Sequence, residues 1–320
     1  MQPEAAFVAP NLDAIWQAAE RIAPYAQHTP VLRSHSLDAE TGAQLYFKCE
    51  NFQRVGAFKF RGACNAVFAL SGERAARGVA THSSGNHAAA LALAARLRGI
   101  PAHVVMPENT VSVKIDSVRR LGARITFCAP NHDARIATLE RILDDTGSIL
   151  VHPFADAHVI AGQGTATLEL IREVGRLDVL IAPISGGGLL SGSAIAARGL
   201  CPDTAIFGAE PSGADDAARS FRSGSLVQNA KVDTICDGLR ADLGPFNFAI
   251  LRQHGTRILT VTDAETMDAL RLVYERLKIV IEPSCAIPLA AIYKYPDEFR
   301  GRRVGVIFSG GNVDLAALRF

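Results

Sequence analysis

The sequence predicts an α/β protein built on open, twisted, mostly parallel β-sheets with helices on both faces. The first observation behind this prediction is a series of short, continuous apolar runs along the chain. Strands of a parallel sheet are buried on both faces, so they read as continuous apolar runs and not as alternating ones. The second observation is that alanine- and leucine-rich stretches of helical periodicity separate many of these runs. This βαβα order predicts parallel strands joined by helical crossovers.

Strand-like and helix-like segments alternate along the whole chain. The apolar runs predict strands over residues 44–49, 78–82, 102–106, 124–128, 149–153, 179–184, 205–209, 257–261 and 303–308. Periodic stretches such as 88–97 and 189–197 predict helices that follow two of these strands.

Composition places the chain among ordinary globular proteins and excludes several function classes. Of its 320 residues, 48% are hydrophobic and 20% are charged, and the formal net charge is +1. This balance indicates neither a nucleic-acid partner nor an acidic membrane surface, and no apolar stretch approaches the roughly 20 residues that span a bilayer. The six cysteines include no Cys-x-x-Cys pair, and the N-terminus lacks the pattern of a signal peptide. We therefore expect a cytoplasmic protein with reduced thiols.

Lys59 lies between two phenylalanines, in the run GAFKFRGA at residues 56–63. A lysine ammonium prefers water, so apolar neighbours that desolvate it would lower its pKa and free its lone pair to attack a carbonyl carbon. A cofactor with an aldehyde group requires such a nucleophile. The alternative is a surface lysine whose stem is covered by its neighbours on an amphipathic helix.

Three further runs each follow a predicted strand and are rich in small or polar residues. SSGNH at residues 83–87 precedes a helix, where free backbone N–H groups can bind a carboxylate; the alternative role of these residues is helix capping. SGGGLLSG at residues 185–192 opens another helix, and its glycines let backbone amides surround a phosphate, unless the run is only a tight turn. SGGN at residues 309–312 offers a hydroxyl group that could face a ring nitrogen.

In this order and spacing, the four runs resemble those of the fold type II enzymes that depend on pyridoxal 5'-phosphate (PLP), the tryptophan synthase β-like fold. Within that fold the chain is most similar to the serine/threonine dehydratases, a group that includes serine racemase and 3-hydroxyaspartate dehydratase. The resemblance extends from residue 28 to residue 314. It implies a small domain of residues 76–149, inserted into a large PLP-binding domain of residues 1–75 and 150–320, with a ligand cleft between their sheets.

The resemblance implies roles for particular residues in holding PLP. Lys59 would be the Schiff-base lysine and the base, Phe58 would pack beside the ring, and Asn86 would hydrogen-bond the ring hydroxyl. Ser309 would face the pyridine nitrogen of the cofactor. A neutral serine does not hold that nitrogen protonated, so the cofactor ring would be a weaker electron sink. A weaker sink favours loss of a β-substituent over transamination. The remaining cofactor-binding residues would be those of the phosphate-binding run and one further glycine: Ser185, Gly186, Gly187, Gly188, Leu189 and Gly238.

Further residues would bind the amino-acid substrate, a small molecule. Ser83, Ser84 and His87 would grip its α-carboxylate. Ser84 would also lie on the face of the cofactor opposite Lys59, where its hydroxyl could return a proton to the planar carbanion and invert the α-carbon, as a racemase requires. The alternative is a serine that only binds the carboxylate.

Three cations border the implied cleft: Lys114, Arg135 and Arg240. Single arginines are mostly solvated surface charges, but an arginine pair could bind a second substrate carboxylate through bidentate contacts, as 3-hydroxyaspartate would require. We therefore predict β-elimination of a 3-hydroxy amino acid (L-serine, L-threonine or 3-hydroxyaspartate) to a 2-oxo acid and ammonia. Racemisation of serine or aspartate by Lys59 and Ser84 is the alternative.

A metal site is predicted where an acidic turn follows a strand. Glu210 and Asp216, with the carbonyl group of Ala214 between them, offer the hard oxygen ligands that suit Mg²⁺ or Ca²⁺. The resemblance supports this spacing for Mg²⁺, Ca²⁺ or Mn²⁺, and it also implies a homodimer. The alternative is a solvated acidic turn.

A different cofactor class stays open at this point. Gly186 and Gly188 follow a strand and open a helix, and Glu210 ends the next strand about twenty residues on, as in a dinucleotide-binding fingerprint. Gly192 comes one residue too late for the third glycine, and this hypothesis gives Lys59 no role. An NAD-dependent dehydrogenase is therefore a remote alternative.

Overall fold

The computed structural model describes residues 8–318, which form two β-sheets flanked by helices. The strands are β1 (Val31–Leu32), β2 (Gln44–Cys49), β3 (Val79–His82), β4 (Ala102–Pro107), β5 (Arg124–Cys128), β6 (Ile149–Leu150), β7 (Val179–Pro183), β8 (Ala205–Pro211), β9 (Arg257–Val261) and β10 (Arg303–Phe308). The α-helices are α1 (Leu12–Ile22), α2 (His35–Thr41), α3 (Lys59–Ala69), α4 (Gly72–Ala76), α5 (Asn86–Arg98), α6 (Ser112–Arg120), α7 (His132–Thr146), α8 (Ala157–Val174), α9 (Gly188–Leu200), α10 (Asp216–Ser223), α11 (Pro245–Gln253), α12 (Asp263–Arg276) and α13 (Pro283–Lys294). None of the helices in this part of the chain has the length and apolar character needed to cross a membrane.

The larger sheet has six strands in the order β1-β2-β10-β7-β8-β9, and the smaller sheet has four in the order β5-β4-β3-β6. Neighbouring strands are parallel except for β1, which runs antiparallel to β2. This arrangement confirms the predicted α/β class with mostly parallel sheets. The strands of the smaller sheet lie between residues 79 and 150, close to the predicted small domain of residues 76–149, whose boundaries stay a prediction.

Every predicted strand is present, with shifts of a few residues at the ends. The largest difference is β6, which covers Ile149–Leu150 although the sequence predicts a strand to residue 153. The N–H of Val151 still bonds to the backbone of β3, but Pro153 has no N–H that could extend the ladder. The prediction missed β1, because a strand of two residues is too short to show a periodic pattern.

Apolar side chains cover both faces of each sheet. On one face of the larger sheet, β8 and β10 pack against α12 and α13 around buried residues such as Phe207, Leu270 and Phe308. On its other face, α8, α9 and α11 pack around Leu180 and Leu190. In the smaller sheet, α5 covers one face and α7 covers the other. Burial on both faces explains why the strands read as continuous apolar runs.

A largely buried group of charges joins the helix that begins with Lys59 to the larger sheet. Arg61 on α3 binds Glu50, which follows β2, at 2.7 Å and Glu169 on α8 at 2.7 Å. Lys48 on β2 binds the same Glu169 at 2.7 Å. Removing one partner of a buried ion pair leaves an uncompensated charge, which costs about 3–5 kcal/mol. The network therefore fixes the first turn of α3 in place.

Candidate active site

A cleft with a volume of about 650 Å³ lies at the carboxyl ends of strands from both sheets, since residues that follow β3, β4, β7 and β10 line it. A concave site of this size is typical of small-molecule binding. The cleft contains all the residues predicted to bind the cofactor or the substrate: Phe58, Lys59, Ser83, Ser84, Asn86, His87, Lys114, Arg135, Ser185, Gly186, Gly187, Gly188, Leu189, Gly238, Arg240 and Ser309. The structure thus brings together turns that are far apart in the sequence, while the role of each residue stays a prediction.

Lys59 is the first residue of α3, and its Nζ donates a hydrogen bond to the carbonyl oxygen of Pro153 at 3.0 Å. Desolvation inside the cleft lowers the pKa of Lys59 to about 8, and the carboxyl group of Glu282 opposes this shift. The ring centroid of Phe58 lies 5.0 Å from Nζ. A lysine with this pKa is partly neutral near physiological pH, so it can act as a nucleophile and as a base.

The turn before Lys59 is strained and is held by Asn312. Val55 has a φ of 57°, in the left-handed region, where a non-glycine residue costs about 1–3 kcal/mol. Asn312 Nδ2 donates to the carbonyl oxygen of Val55 at 2.7 Å. The next residue, Gly56, has a φ of 70°, and a Cβ there would lie 2.6 Å from Asn312 Oδ1. Only glycine fits beside Asn312, which explains the glycine that opens the GAFKFRGA run.

A buried carboxyl group, Glu282, lies in the cleft and was not predicted as a site residue. Asn86 Nδ2 donates to its Oε1 at 3.2 Å, and the N–H of Asn312 donates to its Oε2 at 3.2 Å. Burial raises the pKa of Glu282 to about 7, and Asp237 adds to the shift. Asn312 Nδ2 also donates to Asn86 Oδ1 at 2.9 Å, so the Asn86 amide has a fixed orientation. The run EPS at residues 282–284 is part of the resemblance to the serine/threonine dehydratases, but no role in the site was predicted for Glu282.

The run at residues 83–87 forms the turn from β3 into α5. The helix begins at Asn86, with Gly85, which has no side chain, at the capping position. A helix start of this kind leaves backbone N–H groups free to bind an anion. Ser83 and Ser84 line the cleft beside these groups. The geometry therefore suits a carboxylate held by main-chain N–H groups and hydroxyls.

The ring of His87 is not arranged to bind a carboxylate. His87 Nε2 lies 3.1 Å from the carbonyl oxygen of Val151, and because a carbonyl group only accepts, Nε2 carries the proton. Burial lowers the pKa of His87 well below its usual value, so the ring is neutral and Nδ1 has no hydrogen to donate. A contact between His87 and a substrate carboxylate would therefore come from its backbone N–H and not from its ring.

The glycines after β7 form a concave surface at the start of α9. A Cβ on Gly186 would lie 2.3 Å from Phe154 Cδ1, and a Cβ on Gly187, whose φ is 92°, would lie 2.7 Å from Asn247 Cβ. Neither position accepts a side chain. α9 begins at Gly188, and its first N–H groups lack intrahelical partners and are available at the cleft. Phe154, which also lines the cleft, was not predicted from the sequence.

Comparisons with known proteins place this arrangement in a family. A family model described as pyridoxal-phosphate dependent enzyme matches residues 22–310. The chain belongs to this family. The beta-hydroxyaspartate dehydratase of Paracoccus denitrificans (strain Pd 1222) is 49% identical over 309 residues, covering 97% of this chain and 98% of that protein. The serine racemase of Oryza sativa subsp. indica is 49% identical over 317 residues, covering 97% of this chain and 93% of that protein. The structure of maize serine racemase superposes with a TM-score of 0.94 at 46% identity, covering 97% of this chain and 95% of that one.

The family match decides between the two cofactor classes. The chain is a PLP-dependent enzyme of fold type II, as its four runs predicted, and the dinucleotide alternative is wrong. The residues present fit PLP. Lys59 has the lowered pKa that attack on an aldehyde requires, and the glycine loop, where packed neighbours exclude side chains, presents the free N–H groups at the start of α9 that suit a phosphate group.

Two more predicted cofactor residues of this PLP-dependent enzyme are tied to neighbouring elements. The carbonyl oxygen of Ser309, directly after β10, accepts a hydrogen bond from the N–H of Phe58 at 2.9 Å. The N–H of Gly238 donates to Ser284 Oγ at 3.1 Å, and a Cβ on Gly238 would lie 3.1 Å from the same oxygen. These contacts fix two parts of the cleft surface.

The three predicted cations differ in their partners. Lys114 Nζ binds Asp237 Oδ2 at 2.6 Å, and Arg240 Nη2 donates to the carbonyl oxygen of Thr234 at 2.9 Å. Arg135, on α7, has a buried Nε with no hydrogen-bond partner within the described residues. A buried donor without a partner costs about 1–3 kcal/mol unless a ligand satisfies it. Arg135 is therefore the cation of this set that is best prepared for an anionic group.

Two histidine rings of the cleft region, those of His82 and His152, add no positive charge near Arg135. The ring centroids of His82 and His152 lie 5.6 Å apart. Burial lowers the pKa of each to about 4, and the positive charge of Arg135 lowers the pKa of His82 further. Both rings are neutral near pH 7, so they do not compete with Arg135 as cations for an anionic group.

The predicted metal ligands lie outside the cleft. The carboxylate oxygens of Glu210, on β8, accept hydrogen bonds from two N–H groups in the first turn of α10 at 3.0 and 2.9 Å. Asp216 accepts from the N–H of Leu243 at 2.7 Å and from Asn229 Nδ2 at 2.6 Å, and Ala214 is buried near them in the chain. Burial raises the pKa of Glu210 to about 8 and also raises the pKa of Asp216. Among residues 8–318, no group of three or more His, Cys, Asp or Glu side chains is arranged to bind a metal ion.

Proposed function

We propose that this PLP-dependent enzyme removes the hydroxyl group of 3-hydroxyaspartate by β-elimination and releases a 2-oxo acid and ammonia. The observation that carries this proposal is that Arg135 lines the cleft and that its Nε has no hydrogen-bond partner within the described residues. L-Serine and L-threonine have a single carboxylate and would leave this donor without a partner. The name of a 49% identical relative, beta-hydroxyaspartate dehydratase, supports the same substrate.

Lys59 would both hold the cofactor and move the substrate's proton. PLP, when bound, supplies the electron sink that stabilises negative charge at the α-carbon. Lys59 would bind the cofactor's aldehyde, and once the substrate takes its place the free amine would remove the α-proton. A lysine whose pKa is lowered to about 8 has a neutral amine available for this step near pH 7–8.

Two anchors would orient a dicarboxylate substrate. The free N–H groups at the start of α5 would hold the α-carboxylate, together with Ser83 and Ser84. Arg135 would hold the second carboxylate, which would otherwise cost several kcal/mol in a desolvated cleft. Fixing both ends of a short molecule directs its α-hydrogen toward Lys59, which is the orientation that proton abstraction needs.

Steady-state kinetics on a panel of substrates tests the proposal. The panel contains L-serine, D-serine, L-threonine and the isomers of 3-hydroxyaspartate, with the 2-oxo acid and ammonia as readouts. We expect the highest kcat/KM with one isomer of 3-hydroxyaspartate. If no isomer is turned over, the dicarboxylate proposal fails, and the activities left are those of a serine/threonine ammonia-lyase or a racemase.

Serine racemisation is a second candidate function, because Ser84 lines the cleft and 49% identical relatives are named serine racemase. The Ser84→Ala variant is expected to lose racemase activity and to keep substantial β-elimination from an L-substrate. Lys59 alone can remove the α-proton of the L-enantiomer, whereas returning a proton on the opposite face needs the Ser84 hydroxyl. Chiral chromatography of serine and an assay of the 2-oxo acid measure both activities in one sample.

The neighbouring Ser83→Ala variant is the matched control for Ser84→Ala. Since Ser83 is predicted only to bind the carboxylate, its loss should lower both activities in parallel. Interconversion of L- and D-serine by the Ser84 variant would show that another group is the second base. A wild-type enzyme that racemises no substrate would limit Ser84 to carboxylate binding.

We also propose a divalent cation (Mg²⁺, Ca²⁺ or Mn²⁺) at Glu210, Asp216 and the carbonyl oxygen of Ala214. Burial raises the pKa values of both carboxyl groups, and a neighbouring carboxylate adds to each shift: Asp216 for Glu210, and Asp242 for Asp216. A hard cation would stabilise their ionised forms with the oxygen ligands that it prefers. A carboxylate oxygen that accepts one hydrogen bond keeps a further lone pair, so the hydrogen bonds seen here are compatible with coordination.

Treatment with EDTA is expected to lower the melting temperature and the activity together, and Mg²⁺ should restore both. An ion that binds only the folded protein stabilises it by mass action. Thermal melts and metal analysis before and after dialysis measure the effect, and the Glu210→Gln variant should no longer respond. A melting curve that EDTA does not shift, in a protein without bound metal, would reject the site.

The homodimer and the cytoplasmic location stay predictions.

A further inference from the structure

Residues 241–247, which we call the clamp segment, are hydrogen-bonded to the glycine loop that follows β7. Ser185 Oγ donates to the carbonyl oxygen of Ala241 at 2.9 Å and accepts from the N–H of the same residue at 3.1 Å. The carbonyl oxygen of Gly186 accepts from a backbone N–H of the clamp segment at 3.2 Å and from Asn247 Nδ2 at 2.6 Å. The side-chain hydroxyl of Ser185 thus has a contact apart from the main-chain role predicted for this residue.

The amide of Asn247 has only one possible orientation. Asn247 is completely buried, and its Nδ2 donates to the carbonyl oxygens of both Gly186, at 2.6 Å, and Phe154, at 3.0 Å. Because carbonyl oxygens only accept, the nitrogen and not the oxygen of the amide must face the glycine loop. Its Oδ1 is buried without a partner in the described part of the chain. A residue that only filled space would not need a donor at this position.

This contact sets the direction of a neighbouring N–H group. The carbonyl group of Gly186 and the N–H of Gly187 belong to one trans peptide plane and point in opposite directions. With the carbonyl group turned toward Asn247, the N–H of Gly187 points to the opposite side, and Gly187 lines the cleft. The space behind Gly187 is filled, since a Cβ there would lie 2.7 Å from both Asn247 Cβ and Leu243 Cδ1. The glycine loop therefore has no room to move back from the cleft.

The clamp segment is itself held in place. The N–H of Leu243 donates to Asp216 Oδ2 at 2.7 Å. α11 begins at Pro245, whose fixed φ suits the first position of a helix, and Asn247 lies in the first turn of that helix. The clamp segment is therefore a rigid support for the glycine loop.

We propose that the clamp segment, through Asn247 and Ser185, positions the binding site for the cofactor's phosphate group. It holds the N–H groups of the glycine loop in the direction in which a phosphate binds, and Asn247, which is not among the residues that line the cleft, does so from behind the loop. The proposal rests on the proposed function in one respect, which is that PLP binds in this cleft with its phosphate at the glycine loop.

Binding of PLP and of pyridoxal, which lacks the phosphate, to the apoenzyme tests this role. For Asn247→Ala and Asn247→Asp we expect the Kd of PLP to rise about tenfold, as for one lost hydrogen bond, while the Kd of pyridoxal changes by less than about twofold. Asn247→Asp keeps the size of the side chain and removes its donor, so it separates the hydrogen bond from packing. Ser193→Ala removes a buried hydroxyl on α9 that has no partner within residues 8–318, and as the matched control it should leave both constants unchanged.

Ser185→Ala keeps the proposal testable if the Asn247 variants do not fold, because Ser185 is only half-buried. It should raise the Kd of PLP several-fold and leave the Kd of pyridoxal unchanged. An unchanged ratio of the two affinities in the folded Asn247 variants, or in Ser185→Ala where those do not fold, overturns the clamp. A wild-type apoenzyme that binds neither compound overturns the proposed function instead, so the two failures are distinguishable.

Discussion

The Lys59→Ala variant is expected to lose about 10⁴-fold or more in kcat, because general acid–base catalysis alone supplies up to about that factor, and the cofactor's anchor is lost with it. The fold should remain intact. Lys59 contributes one hydrogen bond, to the carbonyl oxygen of Pro153, while the buried ion pairs of Arg61 hold α3 independently. Turnover measures the loss of kcat, the visible absorbance of the purified protein measures the loss of the anchored cofactor, and the melting temperature tests whether the fold is intact.

The matched control is Lys59→Arg, which keeps the positive charge. A guanidinium group has a pKa above about 12, so it serves neither as the nucleophile nor as the base, and this variant should be as inactive as the alanine variant. After borohydride reduction, mass spectrometry should find the cofactor attached to Lys59 in the wild type and to no residue in either variant. Cofactor attached to another lysine, or turnover that survives in Lys59→Ala, would contradict the assignment.

The strands could be predicted because a strand that is buried on both faces of its sheet has apolar residues at consecutive positions. The apolar run at residues 303–308 coincides with β10 (Arg303–Phe308). The turns that follow such strands reach one cleft because the carboxyl ends of parallel strands share an edge of the sheet. Lys59, Ser84 and Ser185 were therefore within reach of sequence reasoning, since each lies in a compact run with its own chemical character.

Glu282 and Phe154 could not be found in this way, because their place in the site depends on residues far away in the chain. Glu282 bonds to Asn86, 196 positions before it, and Phe154 lies against Gly186. Burial, which raises the pKa of Glu282 to about 7, comes from the folded cleft and not from its sequence neighbours. A local sequence pattern does not reveal contacts between residues that are far apart in the chain.

The same limit applies to the cations of the cleft. The sequence shows that Lys114, Arg135 and Arg240 are charged, but it does not show which of them has a partner. Asp237, which pairs with Lys114, is 123 positions away in the chain. The pairing found in the structure changes the ranking of the three, because a cation that is already paired has less to offer an incoming carboxylate.

The Arg135→Ala variant is therefore expected to lower kcat/KM for 3-hydroxyaspartate about 10- to 100-fold, the loss of one charge-assisted contact of about 1.5–3 kcal/mol. Turnover of L-serine and L-threonine should change much less, because they bring no second carboxylate to the Arg135 guanidinium. Initial rates of 2-oxo acid formation with each substrate, for the wild type and the variant, measure the difference.

Arg240→Ala is the matched control, since the sequence alone predicts the same effect for both arginines. The guanidinium of Arg240 already donates to the carbonyl oxygen of Thr234, and the residue is exposed, so its loss should matter less for 3-hydroxyaspartate than the loss of Arg135. Arg135→Lys should recover part of the activity, because lysine restores the charge and not the bidentate geometry. Equal losses on all substrates would place Arg135 at the shared α-carboxylate. If Arg135→Ala leaves kcat/KM unchanged for every substrate, Arg135 does not bind a substrate carboxylate. The dicarboxylate proposal then loses the observation that carries it.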